Sequence, residues 1–366
     1  VRNLIVGAGL SGLTLAERLA NVKGERVVVI DRRNHIGGNV YDYDEGGILV
    51  HKYGTHIFHT NDLRVWQYVN GFARFYPYMH QVKALIDGQF VPVPFNLNSL
   101  YMLFPTQMAQ NIESSLLKHY QYGQKVSILE LKKVKELAFL SEFIYEKVFL
   151  HYTLKQWQCT PEELSESVFK RVPIYVSKDN SYFQDRFQGI PLEGYSKMCQ
   201  NMCASELIEL ELGCDFKDLE SSFVKGFDRI FYSGGIDEYF DYALGELPYR
   251  SLEFDFVRFE REYFQSGAVI NYPNNYDYTR IGEYKYFLDA KTPHTIVSFE
   301  YPKAWARGLE RYYPVPNAHT SALYEAYTKK AREQDARVHF IGRLGEYAYY
   351  DMDKVIARAL DIFAQL

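Results

Sequence analysis

Three glycines near the N-terminus and one aspartate beyond them have the types and spacing to hold a dinucleotide. The run Gly7-Ala8-Gly9-Leu10-Ser11-Gly12 follows the apolar stretch Leu4-Ile5-Val6, and Leu13, Leu15, Ala16, Leu19 and Ala20 come after it at helical spacing. Gly7 allows a tight turn, Gly9 lets the backbone approach a pyrophosphate, and Gly12 permits close packing of helix on strand. The free N–H groups around Ser11, at the positive end of the helix, suit phosphate oxygens. A second apolar run, Arg26 to Ile30, ends at Asp31, nineteen residues after Gly12, where a carboxylate can take ribose hydroxyls. A lone G-x-G-x-x-G is often only a glycine-rich turn. Set between a strand and a helix, with the acid at this distance, it reads as a βαβ dinucleotide fold.

Other reactive residue types are sparse. His56 and His59 are three apart, but no third ligand of matching type lies nearby, so no metal is expected. Cys159, Cys199, Cys203 and Cys214 form no C-x-x-C pair, and four cysteines in 366 residues suggest buried thiols in a reducing compartment. No Cys, Ser or Lys sits in a recognisable activated-nucleophile setting.

The elements that must position these groups are legible in outline. Val82 to Ile86 and Gln89 to Val93 flank Asp87-Gly88, a hairpin signal. Leu100, Leu103, Met108, Ile112, Leu116 and Leu117 give helical periodicity from about residue 98, and Ile128 to Phe149 continues it. Arg229 to Gly235 reads as a strand closing back on the nucleotide domain, and Phe254 to Phe259 and Thr295 to Phe299 as antiparallel strands. The fold class is α/β: a discontinuous Rossmann-like domain (1–74, 186–248 and 319–366), a helical insertion (98–170), and an antiparallel sheet domain (75–97, 171–185 and 249–318). Net charge is −5, with no basic run of five residues, so nothing draws the chain to nucleic acid. No apolar stretch reaches the ~18 residues of a membrane span. A cytoplasmic location is expected. Aromatic residues are abundant, with 32 Tyr, 25 Phe and 3 Trp, which suits a cleft that stacks rings and donates hydroxyls to phosphates or sugars.

Two segments favour FAD over NAD. Arg32-Arg33-Asn34-His35-Ile36-Gly37-Gly38-Asn39 places a second glycine pair soon after Asp31 and resembles the extended motif of FAD-binding oxidases and related flavoproteins. Phe340-Ile341-Gly342-Arg343, then Tyr349-Tyr350-Asp351-Met352-Asp353 leading into a helix, reads as a late return to the cofactor. The residues expected at FAD are Gly7, Gly9, Ser11, Gly12, Asp31, Arg32, Gly38, Asn39, His56, Gly342, Arg343, Tyr349, Asp351 and Met352.

A more specific likeness runs along the whole chain. Tyr53-Gly54-Thr55-His56-Ile57-Phe58-His59-Thr60, Tyr152-Thr153-Leu154-Lys155-Gln156-Trp157, Arg171-Val172-Pro173, Pro191-Leu192-Glu193-Gly194-Tyr195, Asn271-Tyr272, Thr279 to Tyr284, Tyr312-Tyr313-Pro314 and Gly342-Arg343 occur in order, with Arg250, Glu300-Tyr301-Pro302 and Tyr349. Together they resemble the bacterial UDP-galactopyranose mutases. The resemblance implies interconversion of pyranose and furanose forms of UDP-galactose on reduced FAD, with its N-acetylated counterpart as a further candidate substrate. The flavin N5 would attack the anomeric carbon and UDP would leave. It implies that Arg171 and Arg280 clamp the diphosphate, that Tyr182, Tyr313 and Tyr349 donate hydroxyls to it, and that Tyr152 and Trp157 hold the uridine. His56 would sit beside the flavin, and Arg250, Asn271 and Glu300 would line the cleft. A reductant such as NAD(P)H and a homodimer are implied in the same way. A flavin oxidase of the amine-oxidase type and a non-catalytic UDP-sugar-binding flavoprotein remain open on the residues alone.

Overall fold

The computed structural model describes residues 1–157, 173–315 and 317–366, and the chain divides into two compact units. The first comprises Val1–Tyr78, Asp185–Tyr249 and Arg311–Leu366. At its centre is a parallel sheet in the order Ile208–Leu212, Arg26–Asp31, Arg2–Val6, Arg229–Tyr232, Val338–Phe340. Leu4, Ile5, Val29 and Phe231 are completely buried. A parallel strand covered on both faces has no solvent side, which is why these segments read as unbroken apolar runs. The helix Leu10–Asn21 starts at Gly9 and packs against the C-terminal helix Met352–Gln365. The chain end thus returns to the opening glycine loop.

Beside this sheet, Phe58–Thr60, Phe187–Pro191 and Phe75–Pro77 form a small antiparallel sheet. The Asp42 carboxylate accepts the Tyr195 and Ser196 N–H groups (2.6 and 2.8 Å) at the start of the helix Tyr195–Met202. The Tyr195 hydroxyl in turn donates to the His56 carbonyl at 3.1 Å. Tyr195 therefore acts as framework, fixing the backbone that carries His56.

The second unit comprises Met79–Gln184 and Arg250–Glu310. Where a helical domain and a sheet domain were expected separately, both belong to this one unit. Val82–Ile86 and Gln89–Val93 pair across Asp87 and Gly88, both with positive φ (46° and 81°), as a two-residue hairpin turn requires. The helices between Leu97 and Trp157 enclose a core of Leu100, Leu116, Leu131, Leu140, Ile144 and Phe149. Sheet strands then run in the order Tyr249–Phe259, Thr295–Ala304, Arg280–Glu283, Val269–Asn271, Val82–Ile86, Gln89–Val93. Not every pairing is antiparallel as expected: Val82–Ile86 lies parallel to Val269–Asn271. The long helical excursion between the two strands allows it, since parallel neighbours need an extended crossover.

Candidate functional site

In the first unit a pocket forms where the two glycine turns meet the returning C-terminus. Gly9, Leu10, Ser11, Gly37, Asn39, Val40, His56, Ser233, Arg311, Gly342, Arg343, Leu344, Tyr350, Met352 and Val355 line it. The turns touch: Gly9 bridges Gly37, and a Cβ built on Gly38 would lie 3.0 Å from the Gly9 Cα. Two helix starts also meet here, at Leu10 and at Met352. Neither has a side-chain cap on its first N–H groups, which leaves donors for an anion. A backbone-lined cradle with two such starts fits a dinucleotide pyrophosphate.

The remaining expected cofactor residues do not line this pocket. Gly7 has φ +111°, and an added Cβ would lie 1.9 Å from Ser233 Oγ, so only glycine fits. On Gly12 the Cβ would lie 2.1 Å from the Gly7 carbonyl oxygen. Asp31 accepts the Ala8 and Arg33 N–H groups, both at 2.8 Å, and so braces the loop as well as offering lone pairs to a ribose. Arg32 lies 3.7 Å from Glu238, and Asp351 is exposed as the cap residue of the last helix; neither lines the pocket. Tyr349 stacks on Tyr313 (centroids 5.1 Å, planes 9° apart), and the Arg343 guanidinium lies 5.4 Å from each ring. Arg343 donates to the Tyr312 and Tyr350 carbonyls at 3.0 and 2.5 Å, so it holds the two tyrosine segments together.

Arg311 is a lining residue that the motifs did not indicate. It is buried, donates to Glu238 and to the Tyr242 hydroxyl (3.1 Å), and lies 3.9 Å from Asp237. A Cβ on Gly235 would lie 2.8 Å from its guanidinium. Gly235, at the end of the Arg229 to Gly235 segment, is thus a local signal of a bulky neighbour.

His56 Nδ1 is 2.7 Å from the Gly54 carbonyl, which can only accept, so Nδ1 carries the proton. Burial, with neighbouring His51, pushes this imidazole down to about 3, so the ring is neutral and Nε2 is an acceptor. His51 accepts the His56 N–H at 3.0 Å and is likewise pushed down to about 3 by burial. Both rings bind fewer protons folded than unfolded below the ordinary value of ~6.5. Their contribution to stability is complete above about pH 6.5 and is lost as pH falls through 6.5 toward 3, by up to about 1.4 kcal/mol per pH unit for each ring. Denaturant titrations between about pH 7 and 4.5 should give His51→Gln a slope shallower by about one proton; equal slopes would refute this. His59 is separate: its Nδ1 pairs with Asp185 at 2.7 Å. Among the described residues no cluster of three metal-ligating side chains occurs.

In the second unit the register collects polar residues on one sheet face. Ala84 pairs with Asn271, Asn271 with Arg280, Arg280 with Glu300 and Glu300 with Phe254. Residues level across adjacent strands share a face, and Arg250, four before Phe254, shares it too. Arg280 donates to the Tyr152 hydroxyl at 2.5 Å, and its Nε lies 3.6 Å from Glu300 Oε1. Burial pushes the Tyr152 phenol up to about 12 despite the pull of Arg280, so it accepts from Arg280 and still has a proton to donate. A pocket beside it is lined by Ala84, Val93, Pro94, Val148, Tyr152, Tyr182, Asn271 and Pro273. Asn271 Oδ1 and Glu300 Oε1 are buried without a hydrogen bond among the described residues. Arg250 is buried. Arg171 and the Trp157 side chain lie outside the described residues.

A sequence family described as UDP-galactopyranose mutase matches residues 147–349, and one described as an NAD(P)-binding Rossmann-like domain matches residues 5–72. The chain is 39% identical over 363 residues to the "Probable UDP-galactopyranose mutase" of Klebsiella pneumoniae, spanning 98% of this chain and 92% of that protein. The chain belongs to the UDP-galactopyranose mutase family. This membership sets the oxidase reading aside. The chain is also 36% identical over 370 residues to the dTDP-fucopyranose mutase of Escherichia coli, spanning 98% and 96% of the two proteins. Among solved structures, a reduced UDP-galactopyranose mutase matches with TM-score 0.75 at 15% identity, covering 100% of this chain and 93% of that one, a likeness of fold. Among the described residues, no helix is long and apolar enough to cross a membrane.

Proposed function

We propose that this mutase interconverts UDP-galactopyranose and UDP-galactofuranose with FAD as its cofactor, active in the reduced form. The observation that carries the reading is the ladder Asn271–Arg280–Glu300, with buried acceptors that have no hydrogen bond among the described residues, beside Tyr152 and Tyr182, in a chain that also has a dinucleotide cradle. Gly9, Ser11, Asn39, Gly342, Arg343 and the two helix starts would hold FAD. When bound there, reduced FAD would supply the nucleophilic chemistry at the anomeric carbon.

The protein residues then handle charge and geometry. Arg280, and Arg171 from outside the described residues, stabilise the diphosphate as it gains charge; guanidinium groups are permanently charged and planar. Tyr182, Tyr313 and Tyr349 donate neutral hydrogen bonds to the same group. Asn271 and Glu300 supply acceptors for sugar hydroxyls. Neutral His56, with its proton fixed on Nδ1 toward Gly54, offers an acceptor in the cofactor pocket. Keeping the nucleotide bound makes its return to the rearranged sugar effectively unimolecular. Trp157 and Tyr152 are assigned to the base, with the Tyr152 hydroxyl committed to Arg280. NAD(P)H as reductant, a homodimer and a cytoplasmic setting complete the reading.

The dTDP-fucopyranose mutase relative supports a second substrate reading, in which a thymidine diphosphate 6-deoxy sugar takes the same place. Dithionite-reduced enzyme should be incubated with UDP-galactofuranose, UDP-N-acetylgalactofuranose and dTDP-fucofuranose, and the products separated by chromatography. Preferred conversion of UDP-galactofuranose, lost when the enzyme is oxidised, is expected. Faster conversion of the dTDP sugar would select the second reading. Equal turnover by oxidised enzyme would overturn the mechanism, and no turnover of any of the three would favour a binding-only role.

A further inference from the structure

Lys155 lies one turn after Tyr152 on the helix His151–Trp157, so the two side chains share a face. Its ammonium donates to three backbone carbonyls, those of Tyr272 (2.5 Å), Tyr276 (3.0 Å) and Tyr278 (3.1 Å). That uses all three of its N–H donors. The three acceptors belong to one loop, residues 272–279, which joins the strand ending at Asn271 to the strand beginning at Arg280. The loop is closed at its base by the Tyr272 N–H on the Thr279 carbonyl (2.8 Å), and Asn274 donates to the Lys147 carbonyl at 3.2 Å. The rings of Tyr272, Tyr276 and Tyr278 pack on one another with centroids 4.9 to 5.3 Å apart. Three carbonyls that converge on one point need hydrogen-bond donors there, and Lys155 supplies all three from one group. Burial lowers the amine to about 8, which leaves it charged at neutral pH.

We propose that Lys155 is a positioning residue for Arg280. It fixes the loop from which Arg280 emerges, while Tyr152, one turn earlier on the same helix, takes the Arg280 guanidinium. One helix face thus sets both the backbone and the side chain of the residue read as the diphosphate ligand. The proposal rests on that reading of Arg280.

The test is binding of UDP, with dTDP in parallel, to flavin-loaded enzyme by isothermal titration. The variants are Lys155→Met, Arg280→Ala and the double variant. Misplacing a binding group by about 1 Å can cost about 100-fold, so Lys155→Met should weaken UDP binding by about 10- to 100-fold, and by no more than Arg280→Ala does, while flavin content stays near wild type and Tm falls with the three lost loop bonds. If Lys155 acts through Arg280, the double variant binds no worse than Arg280→Ala alone. Lys155→Gln keeps two N–H donors and should fall between wild type and Lys155→Met; it carries the same cycle should the methionine variant not fold. Wild-type affinity in the folded Lys155 variants overturns the proposal, and so does a double variant in which the two losses multiply. If Arg280→Ala binds both nucleotides as wild type does, the reading of Arg280 itself fails and the proposal with it.

Discussion

Arg280→Ala is expected to lower kcat/KM by about 100- to 1,000-fold, the scale of removing one charged or oriented donor from a transition state, about 2.7–4 kcal/mol. Two effects add. Charge builds on the diphosphate as the bond to the anomeric carbon breaks, so the lost guanidinium matters more in the transition state than in the bound ground state. The deletion also strips a buried environment: Glu300 loses the cation 3.6 Å from its Oε1, and the Tyr152 hydroxyl loses its donor. The loss should therefore fall mainly on kcat, with a smaller rise in KM. Arg280→Lys keeps the charge but cannot span Tyr152 and Glu300 together, so it should recover only part of the rate. Steady-state assays on dithionite-reduced enzyme read both. A change confined to a twofold KM effect would show that Arg280 is not at the reacting diphosphate.

How much of this was legible depended on whether the signal is local. Gly7 and Gly12 could be read because their constraint is set within a few residues: a turn, then a helix pressed on its own strand. Asp31 was legible by distance, although its bonds to Ala8 and Arg33 were not. The alternation of Phe254, Phe256 and their neighbours revealed strands, but not that Asn271, Arg280 and Glu300 would stand level across three of them, because register is a tertiary fact. Lys155 sits inside a quoted motif, yet its partners are backbone carbonyls, which carry no residue-type signal. Arg311 reaches the first pocket through Asp237, Glu238 and Tyr242, about seventy residues upstream, and no spacing rule connects them.

Gly12 and Gly9 of the opening loop should separate under substitution, and that separation tests what the loop is for. Gly12 is required by the protein itself: its added Cβ would sit 2.1 Å from the Gly7 carbonyl oxygen and 2.8 Å from Ile5 Cγ2. Neither the backbone oxygen nor a packed core methyl yields cheaply, so Gly12→Ala should cost about 1–3 kcal/mol of stability and lower Tm with or without cofactor. Gly9 differs. Its φ is −86°, open to any residue, and its nearest neighbour to an added Cβ is the Gly38 Cα at 3.8 Å, an ordinary contact. Nothing in the polypeptide demands glycine there. If the pocket holds a pyrophosphate against this backbone, the Gly9→Ala methyl occupies the space the phosphate needs. The expected result is a cofactor-free protein with wild-type Tm but flavin affinity reduced by about tenfold or more, roughly 1.4 kcal/mol. Flavin absorbance of the purified protein, with melting curves after cofactor removal, reads the two effects separately. Gly24→Ala is the control: its positive φ of 68° strains the backbone, with no atom within 4 Å of the new Cβ, so it should cost stability of order 1 kcal/mol and leave flavin content unchanged. Should Gly9→Ala retain full flavin affinity, the pyrophosphate does not lie against Gly9 and the cradle has been placed wrongly.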